Sequence, residues 1–139
     1  MGDYMAEKIE WNDSYRLGVL EIDNQHKKLL SIANELYDIT NGSVVDYKLG
    51  MSKALKQLTD YTEYHFSSEE EFMKRYGYPG SDTHKIAHDG FILEVTNQIK
   101  KLSDDDIEAG KTFYGFVANW VLTHIAKADR IWAKFVLDK

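Results

Sequence analysis

The chain has 139 residues, a formal net charge of −6 and no cysteine. This length suits one domain with a full hydrophobic core, and the negative charge argues against nucleic acid and anionic membrane surfaces as partners. Without cysteine there can be no disulfide, no thiolate zinc site and no cysteine-bound iron–sulfur cluster. The first 30 residues contain no signal-peptide-like apolar segment, and no 18-residue apolar run occurs anywhere. We therefore expect a soluble, cytoplasmic protein.

The N-terminal part of the chain does not have helical periodicity. Residues 1–22 carry apolar side chains at irregular spacing, and Gly18 interrupts them. We predict an arm that lies across the domain with Trp11 as its anchor, and we expect about the first eight residues to be frayed. Asp23 is the predicted N-cap of a first helix over 23–41, which Asn41 and Gly42 end.

Three further helices are predicted from apolar residues that recur every three or four positions. The second spans about 46–76, the third about 82–102 with Ser81 or Asp82 as its N-cap, and the fourth about 106–136 after the acidic turn 103–106. Short connections between four helices predict an all-α, antiparallel up-down-up-down bundle. We expect one domain over 1–139, with the bundle itself over about 23–136.

All five histidines of the chain lie on the apolar faces of the predicted helices. They lie near the starts of the first and third helices and late in the second and fourth, so an antiparallel bundle brings them together at one end. A single such histidine is typical of a satisfied core residue, whereas five at one level indicate a metal site, because neutral imidazole is a common metal ligand. These residues are His26, His65, His84, His88 and His124.

Two carboxylates are candidates to share that layer. Glu69 follows His65 by four residues and therefore lies on the same helical face, whereas Glu70 and Glu71 rotate away and are predicted to be solvated. Asp129 follows His124 by five residues, about 140° round a regular helix. It is predicted to be a surface acid unless a π-type widening, which is frequent at functional sites, brings both residues onto one face.

Two polar residues near the histidines have two interpretations. Gln25 and Glu63 could accept hydrogen bonds from ligand imidazoles and so orient them. The sequence favours surface exposure for both side chains.

The order H…H-x3-E…H-x3-H…H-x4-D resembles the hemerythrin family. The stretch W-x6-G-V-x2-I-D-x-Q-H, residues 11–26, and the stretch H-F-x2-E-E-x2-M-x4-Y-P, residues 65–79, are similar to its bacterial branch. The resemblance covers nearly the whole chain. It implies a non-haem di-iron site with the ligands His26, His65, Glu69, His84, His88, His124 and Asp129.

The resemblance also assigns these ligands to two irons. One iron takes its imidazoles from His84, His88 and His124, and the other takes them from His26 and His65. Glu69 and Asp129 bridge the two irons together with an oxo or hydroxo group. The first iron is then six-coordinate, and the second keeps one open position, where dioxygen would bind end-on.

Four apolar residues match family positions that line the oxygen cavity: Leu29, Phe66, Trp120 and Val121. The alternative for each is ordinary core packing. The position three residues before His124 is commonly leucine in the family and is valine here. The smaller side chain should leave a wider opening, so we expect faster autoxidation than in relatives with leucine.

The function implied is reversible dioxygen binding for storage, delivery or scavenging, and we do not expect an enzyme. Because no large exposed apolar stripe is evident in the sequence, we expect a monomer. An oxygen-consuming enzyme could be the recipient. Three alternatives remain open: an oxygen or redox sensor, a di-iron enzyme that reduces nitric oxide or peroxide, and a helical bundle whose histidines bind zinc or nothing.

Overall fold

A computed structural model describes residues 8–103 and 106–138. The helices are α1 (Leu20–Thr40), α2 (Val44–Arg75), α3 (Ser81–Lys101), α4 (Ile107–His124) and α5 (Arg130–Leu137). A π-helical segment, Ile125–Asp129, joins α4 directly to α5, so these three pieces form one long helical run. A short 3-10 turn, Asp13–Tyr15, lies in the N-terminal arm. Within the described residues there is no strand.

The helices pack as a closed ring of neighbours. Helix α1 packs against α2 and α4, and α3 packs against α2 and α4. The predicted all-α four-helix bundle is therefore confirmed. In the described part of the chain, no helix is both long enough and apolar enough to cross a membrane.

The prediction that Asp23 caps the first helix is wrong. Helix α1 begins three residues earlier, at Leu20, and its N-cap Val19 makes no side-chain capping bond. The Asp23 carboxylate instead accepts hydrogen bonds from the backbone N–H groups of Leu17 (2.8 Å) and Gly18 (3.1 Å). Gly18 has a φ of 95°, which glycine adopts without steric cost. The buried carboxylate therefore fixes the turn by which the arm enters the bundle.

The other helices begin at different kinds of N-cap. Ser43 caps α2 by accepting from the backbone N–H of Asp46, and Asp106 caps α4 by accepting from that of Ala109, both at 3.0 Å. Helix α3 begins after Gly80 without a side-chain cap, so the predicted caps at its start are wrong. Of the acidic turn 103–106, positions 104 and 105 lie outside the described residues.

The N-terminal arm lies against the bundle at several points. Ile9 is buried, and its backbone N–H donates to the Tyr114 hydroxyl at 3.1 Å. Trp11, the predicted anchor, is half-buried against the core, and the Lys27 ammonium lies 5.1 Å from the centre of its ring. Leu17 is also buried. The arm is thus held by apolar contacts along its length, and the predicted frayed residues before Lys8 lie outside the described ranges.

Candidate metal centre

All seven predicted ligands converge at one end of the bundle. Their side-chain nitrogen and oxygen atoms form two groups, and within each group the atoms lie within 4.8 Å of one another. The five-donor group is Glu69, His84, His88, His124 and Asp129, and the four-donor group is His26, His65, Glu69 and Asp129. All seven side chains are buried. Antiparallel packing produces this convergence because the start of α1 and of α3 meets the later part of α2 and of α4.

The π-helical segment accounts for the position of Asp129. On a regular helix Asp129 would lie about 140° from His124. The extra residue in the turn Ile125–Asp129 rotates the carboxylate back, so that Asp129 Oδ1 lies 3.1 Å from His124 Nε2. The conditional prediction of a π-type widening is confirmed, and the alternative of a surface acid is excluded.

Both carboxylates face both groups. Glu69 Oε2 lies 3.0 Å from His26 Nε2 and 3.2 Å from His65 Nε2, while its other oxygen, Oε1, lies 3.2 Å from His88 Nε2. The two oxygens of Asp129 also face different groups: Oδ2 lies 3.2 Å from His26 Nε2, and Oδ1 lies 3.0 Å from His84 Nε2. This arrangement suits two carboxylates that each bridge a pair of metal ions.

The spacing of the donor atoms fits metal ligands. The Nε2 atom of His124 lies 3.1 Å from the Nε2 atoms of both His84 and His88. Two ligand atoms bound at right angles, each about 2.1 Å from one ion, are about 3 Å apart. Neutral imidazole nitrogens that carry lone pairs gain nothing from facing each other, so the shared approach of three of them points to a cation.

Two of the carboxylate oxygens lack a hydrogen-bond donor. Glu69 Oε1 and Asp129 Oδ2 are fully buried, and no described residue donates a well-aligned hydrogen bond to either atom. A buried carboxylate oxygen left unsatisfied costs several kcal/mol. A bound cation would remove that cost, and so the residues present fit a metal centre.

The electrostatics of the cluster favour positive charge at its centre. Burial disfavours the charged form of His26, but the adjacent carboxylates of Asp129 and Glu69 outweigh it and raise its pKa to about 9. The pKa of His84 rises to about 9 for the same reasons. Burial opposes ionisation of Glu69, yet His65 and His26 hold its pKa well below the usual value. The imidazoles around Asp129 lower its pKa in the same sense, against burial and the charge of Glu69.

Two acceptors behind the imidazoles differ from prediction. Gln25 is buried, and its Oε1 accepts from His65 Nδ1–H at 2.7 Å, so the favoured surface position for it is wrong. Glu70 was predicted to be solvated, but its side chain is 19% exposed and its Oε2 accepts from His88 Nδ1–H at 2.9 Å. Glu63 and Glu71 are exposed, as predicted. The nitrogen that each bond leaves facing the cluster carries the lone pair.

The four predicted oxygen-pocket residues lie in the apolar core beside the cluster. Phe66 stacks on His88 with ring centres 3.7 Å apart, and Trp120 stacks on His124 at 4.4 Å. Leu29 and Val121 are almost completely buried in the same core. A cavity of about 40 Å³ opens between α2 and α3, but none of these four residues lines it. Their role toward oxygen stays a prediction.

The comparison with known proteins agrees with this geometry. A model of the hemerythrin HHE cation-binding domain matches residues 17–136 of the chain. The chain belongs to the hemerythrin family. The hemerythrin match includes every residue of both donor groups, and it confirms the resemblance seen in the sequence motifs.

Individual hemerythrins are similar over most of the chain. The bacteriohemerythrin of Clostridium acetobutylicum is 37% identical over 122 residues, which cover 86% of this chain and 95% of that protein. The bacteriohemerythrin of Pseudomonas aeruginosa is 32% identical, with 87% of this chain and 76% of that protein covered. A crystal structure of wild-type hemerythrin superposes with a TM-score of 0.76 at 28% identity, covering 94% of this chain and 98% of that one. Family membership and the buried cluster together identify a hemerythrin-type iron protein.

Proposed function

We propose that this hemerythrin binds dioxygen reversibly at a non-haem di-iron centre bridged by an oxo or hydroxo group. His84, His88 and His124 would hold one iron, His26 and His65 the other, and Glu69 and Asp129 both. When bound, two ferrous ions supply the electrons on which reversible dioxygen binding depends. Storage, delivery to an oxygen-consuming enzyme and scavenging are all compatible with this activity.

The observation that carries the proposal is the unequal number of donors. The first group offers five protein atoms and the second offers four, although the two carboxylates are common to both. With one further ligand from solvent, the first group would supply six donors, the number that an octahedral ion takes, and the second group would supply five. Such a site has a single place for a small molecule, beside His26 and His65.

The surrounding residues favour a carrier over an oxygenase. Oxygen-activating di-iron bundles use a carboxylate-rich ligand set with Glu-x-x-His motifs. Here five imidazoles, which would be neutral once they bind a metal, face two carboxylates, and anionic ligands are the ones that favour high-valent iron. Leu29, Phe66 and Val121 place apolar surface beside the cluster, and a dry wall keeps water and protons from the bound molecule.

The test is iron analysis combined with optical spectra of the purified, reduced protein, first without oxygen and then in air. We expect two irons per chain and a visible absorption band that appears in air and disappears when oxygen is removed. The matched variants are Asp129→Asn, which changes a shared bridging residue, and Asp138→Asn, an exposed aspartate beyond the site. We expect the first to lose the band and the second to keep it.

Two results would contradict the proposal. One is a single metal per chain, and the other is a wild-type protein whose spectrum does not respond reversibly to oxygen. Nitric oxide or hydrogen peroxide consumed over many turnovers with a reductant would instead favour the enzyme alternative.

A further inference from the structure

Two of the five imidazoles donate a hydrogen bond, from the ring nitrogen that faces away from the cluster, to acceptors of different charge. His88 donates its Nδ1–H to the Glu70 carboxylate, and His65 donates its Nδ1–H to the Gln25 amide oxygen. His88 belongs to the five-donor group and His65 to the four-donor group. Each group therefore has an outer acceptor on one imidazole, anionic in the first case and neutral in the second.

The orientation of the His88 imidazole is fixed by two contacts. The His88 ring is fully buried and lies parallel to Phe66, with ring centres 3.7 Å apart and an angle of 2° between the planes. The stack fixes the plane of the ring, and the 2.9 Å bond to Glu70 fixes its rotation within that plane. The Nε2 lone pair is consequently aimed at the cluster.

The contact between His65 and Gln25 is a hydrogen bond of similar length to an acceptor that carries no charge. The Nδ1–Oε1 distance is 2.7 Å, and both side chains are buried. An amide oxygen accepts a hydrogen bond from the imidazole N–H but does not carry the negative charge that would polarise the N–H bond further. Each acceptor therefore binds the Nδ1–H of its imidazole, and the two acceptors differ in charge.

That difference matters for a bound metal ion. A hydrogen bond to an ionised acceptor is roughly twice as strong as one between neutral groups. A carboxylate behind a ligand imidazole makes the imidazole more basic, so it binds metal more tightly and favours the ion of higher charge. An amide has a weaker effect of the same kind.

We propose that Glu70 is a positioning residue that makes the two metal positions unequal. Acting through His88, it stabilises ferric iron in the five-donor group, while the neutral Gln25 behind His65 keeps the four-donor group easier to hold in the ferrous state. The iron that is more easily kept ferrous would then be the one in the four-donor group, where the open position for a small molecule lies. The redox part of this inference rests on the proposed di-iron function, whereas the difference in metal affinity does not.

The test compares Glu70→Gln with Glu71→Gln, two identical changes of charge at neighbouring residues. Glu71 is exposed and makes no contact with a ligand imidazole among the described residues. With zinc added to the metal-free protein, we expect Glu70→Gln to weaken one of two binding steps about 10-fold, within the range typical of outer partners of metal ligands. With iron bound, the ferric-to-ferrous ratio of one iron at a fixed potential should fall about 10-fold, which is a 59 mV rise in its midpoint. Glu71→Gln should match the wild type in both measurements.

The reciprocal variant is Gln25→Glu, which places a carboxylate behind His65. We expect the ferric-to-ferrous ratio of the other iron to rise at a fixed potential. Its midpoint potential should therefore fall, and the difference between the two midpoint potentials should become smaller. If the Glu70→Gln protein binds too little iron for its ferric-to-ferrous ratio to be measured, the ratio in Gln25→Glu alone decides whether the inference holds. An unchanged ratio in Gln25→Glu, or Glu70→Gln behaving like Glu71→Gln, overturns the inference.

The outcomes separate this inference from the proposed function. The zinc titration involves neither oxygen nor electron transfer, so it retains its meaning if the wild-type protein fails to bind oxygen. Conversely, reversible oxygen binding with no difference between the two glutamate variants would leave the proposed function intact and refute the role of Glu70.

Discussion

The two ends of this bundle are built from the same four helices but have opposite chemistry. At one end the buried side chains include five imidazoles, an amide and the carboxylates of Asp23, Glu69 and Asp129. At the other end the buried side chains of the described residues are mostly apolar or aromatic, with Thr40 as a polar exception; they include Leu36, Tyr47, Met51, Phe113 and Tyr114, and the buried Gly110 lies among them. Gly110 allows the Tyr47 ring to lie directly against the backbone of α4, since a Cβ atom at this position would lie 2.5 Å from that ring.

The contrast shows how a small bundle can tolerate a costly polar layer. Burying a large apolar side chain stabilises the fold by about 1.5–3 kcal/mol, and the apolar end does this repeatedly. The metal end must in addition offset the cost of removing carboxylates and imidazoles from water, and the contacts between these groups and a bound cation would supply that stabilisation. We therefore expect the apolar end to determine the fold and the polar end to depend on its metal.

Metal removal is the change expected to affect the two ends most differently. A metal present at 1,000 times its dissociation constant stabilises the folded state by about 4 kcal/mol, so chelation from that condition should lower the free energy of unfolding by about the same amount. Hydrogen exchange followed by mass spectrometry should show faster exchange around His65 and His88, with protection retained around Phe113. Equal loss of protection at both ends would contradict the expectation that only the metal end depends on its metal.

Leu36→Ala should have a large effect confined to the apolar end. Leu36 is 1% exposed, and replacing a buried leucine with alanine typically costs about 2–5 kcal/mol. Denaturant unfolding should show this loss, while the metal content per folded chain stays unchanged. Leu49→Ala is the control, because Leu49 is 79% exposed and its loss should change stability by less than about 0.5 kcal/mol. A variant that loses metal as well would show that the ends are coupled.

Asp23→Ala tests a buried carboxylate that needs no metal. Both of its oxygens accept backbone hydrogen bonds, unlike those of Glu69 and Asp129. Leaving the N–H groups of Leu17 and Gly18 without this acceptor should cost about 1–3 kcal/mol, by an equal amount with and without metal. Thermal unfolding of both forms measures this, with Glu21→Ala, an exposed acid in the same turn, as the control. A cost that appears only in the metal-bound form would place Asp23 within the metal site.

Val121→Leu is the smallest expected effect and lies where the two ends meet. Val121 is buried one turn before His124, and a larger side chain there should narrow the approach to the cluster. If the proposed function holds, we expect the oxygenated form to autoxidise about threefold more slowly, a change of under 1 kcal/mol in the barrier. The decay of the visible band in air measures it, with the exposed Val45→Leu as the control. An unchanged decay rate would remove Val121 from the oxygen pathway.

The fold and the convergence of the ligands could be predicted from the sequence because both follow from periodicity. Apolar spacing gives the helices, short connections give antiparallel neighbours, and the order of the histidines then places them at one end. Asp129 could be predicted only conditionally, since five-residue spacing is incompatible with a regular helix. It was the family resemblance that made the π-type turn the better interpretation.

The acceptors behind the ligands could not be predicted in the same way. Glu70 and Glu71 are identical in chemistry and neighbours in sequence, and only the position of α3 decides which of them reaches an imidazole. Gln25 faces α2 because α1 lies close enough there for its side chain to contact His65. Asp23 satisfies the usual pattern of an N-cap, and its actual role depends on the path of the arm before it. Each case depends on the distance between elements, which local sequence does not encode.

The π-helical turn also links the metal site to the packing of the C-terminus. A π turn inserts one residue into the helix, so every side chain after it is rotated by about 100° relative to an uninterrupted helix. Trp132 and Ala133 lie after the turn and pack against Leu17, Ile22 and Met73, and the Trp132 indole N–H also donates to Asp129 Oδ1 at 3.2 Å. Deleting one residue from this turn would therefore misplace both the shared carboxylate and the tryptophan that closes the bundle. The register of this one turn therefore determines both the position of a metal-site carboxylate and the packing of the last helix.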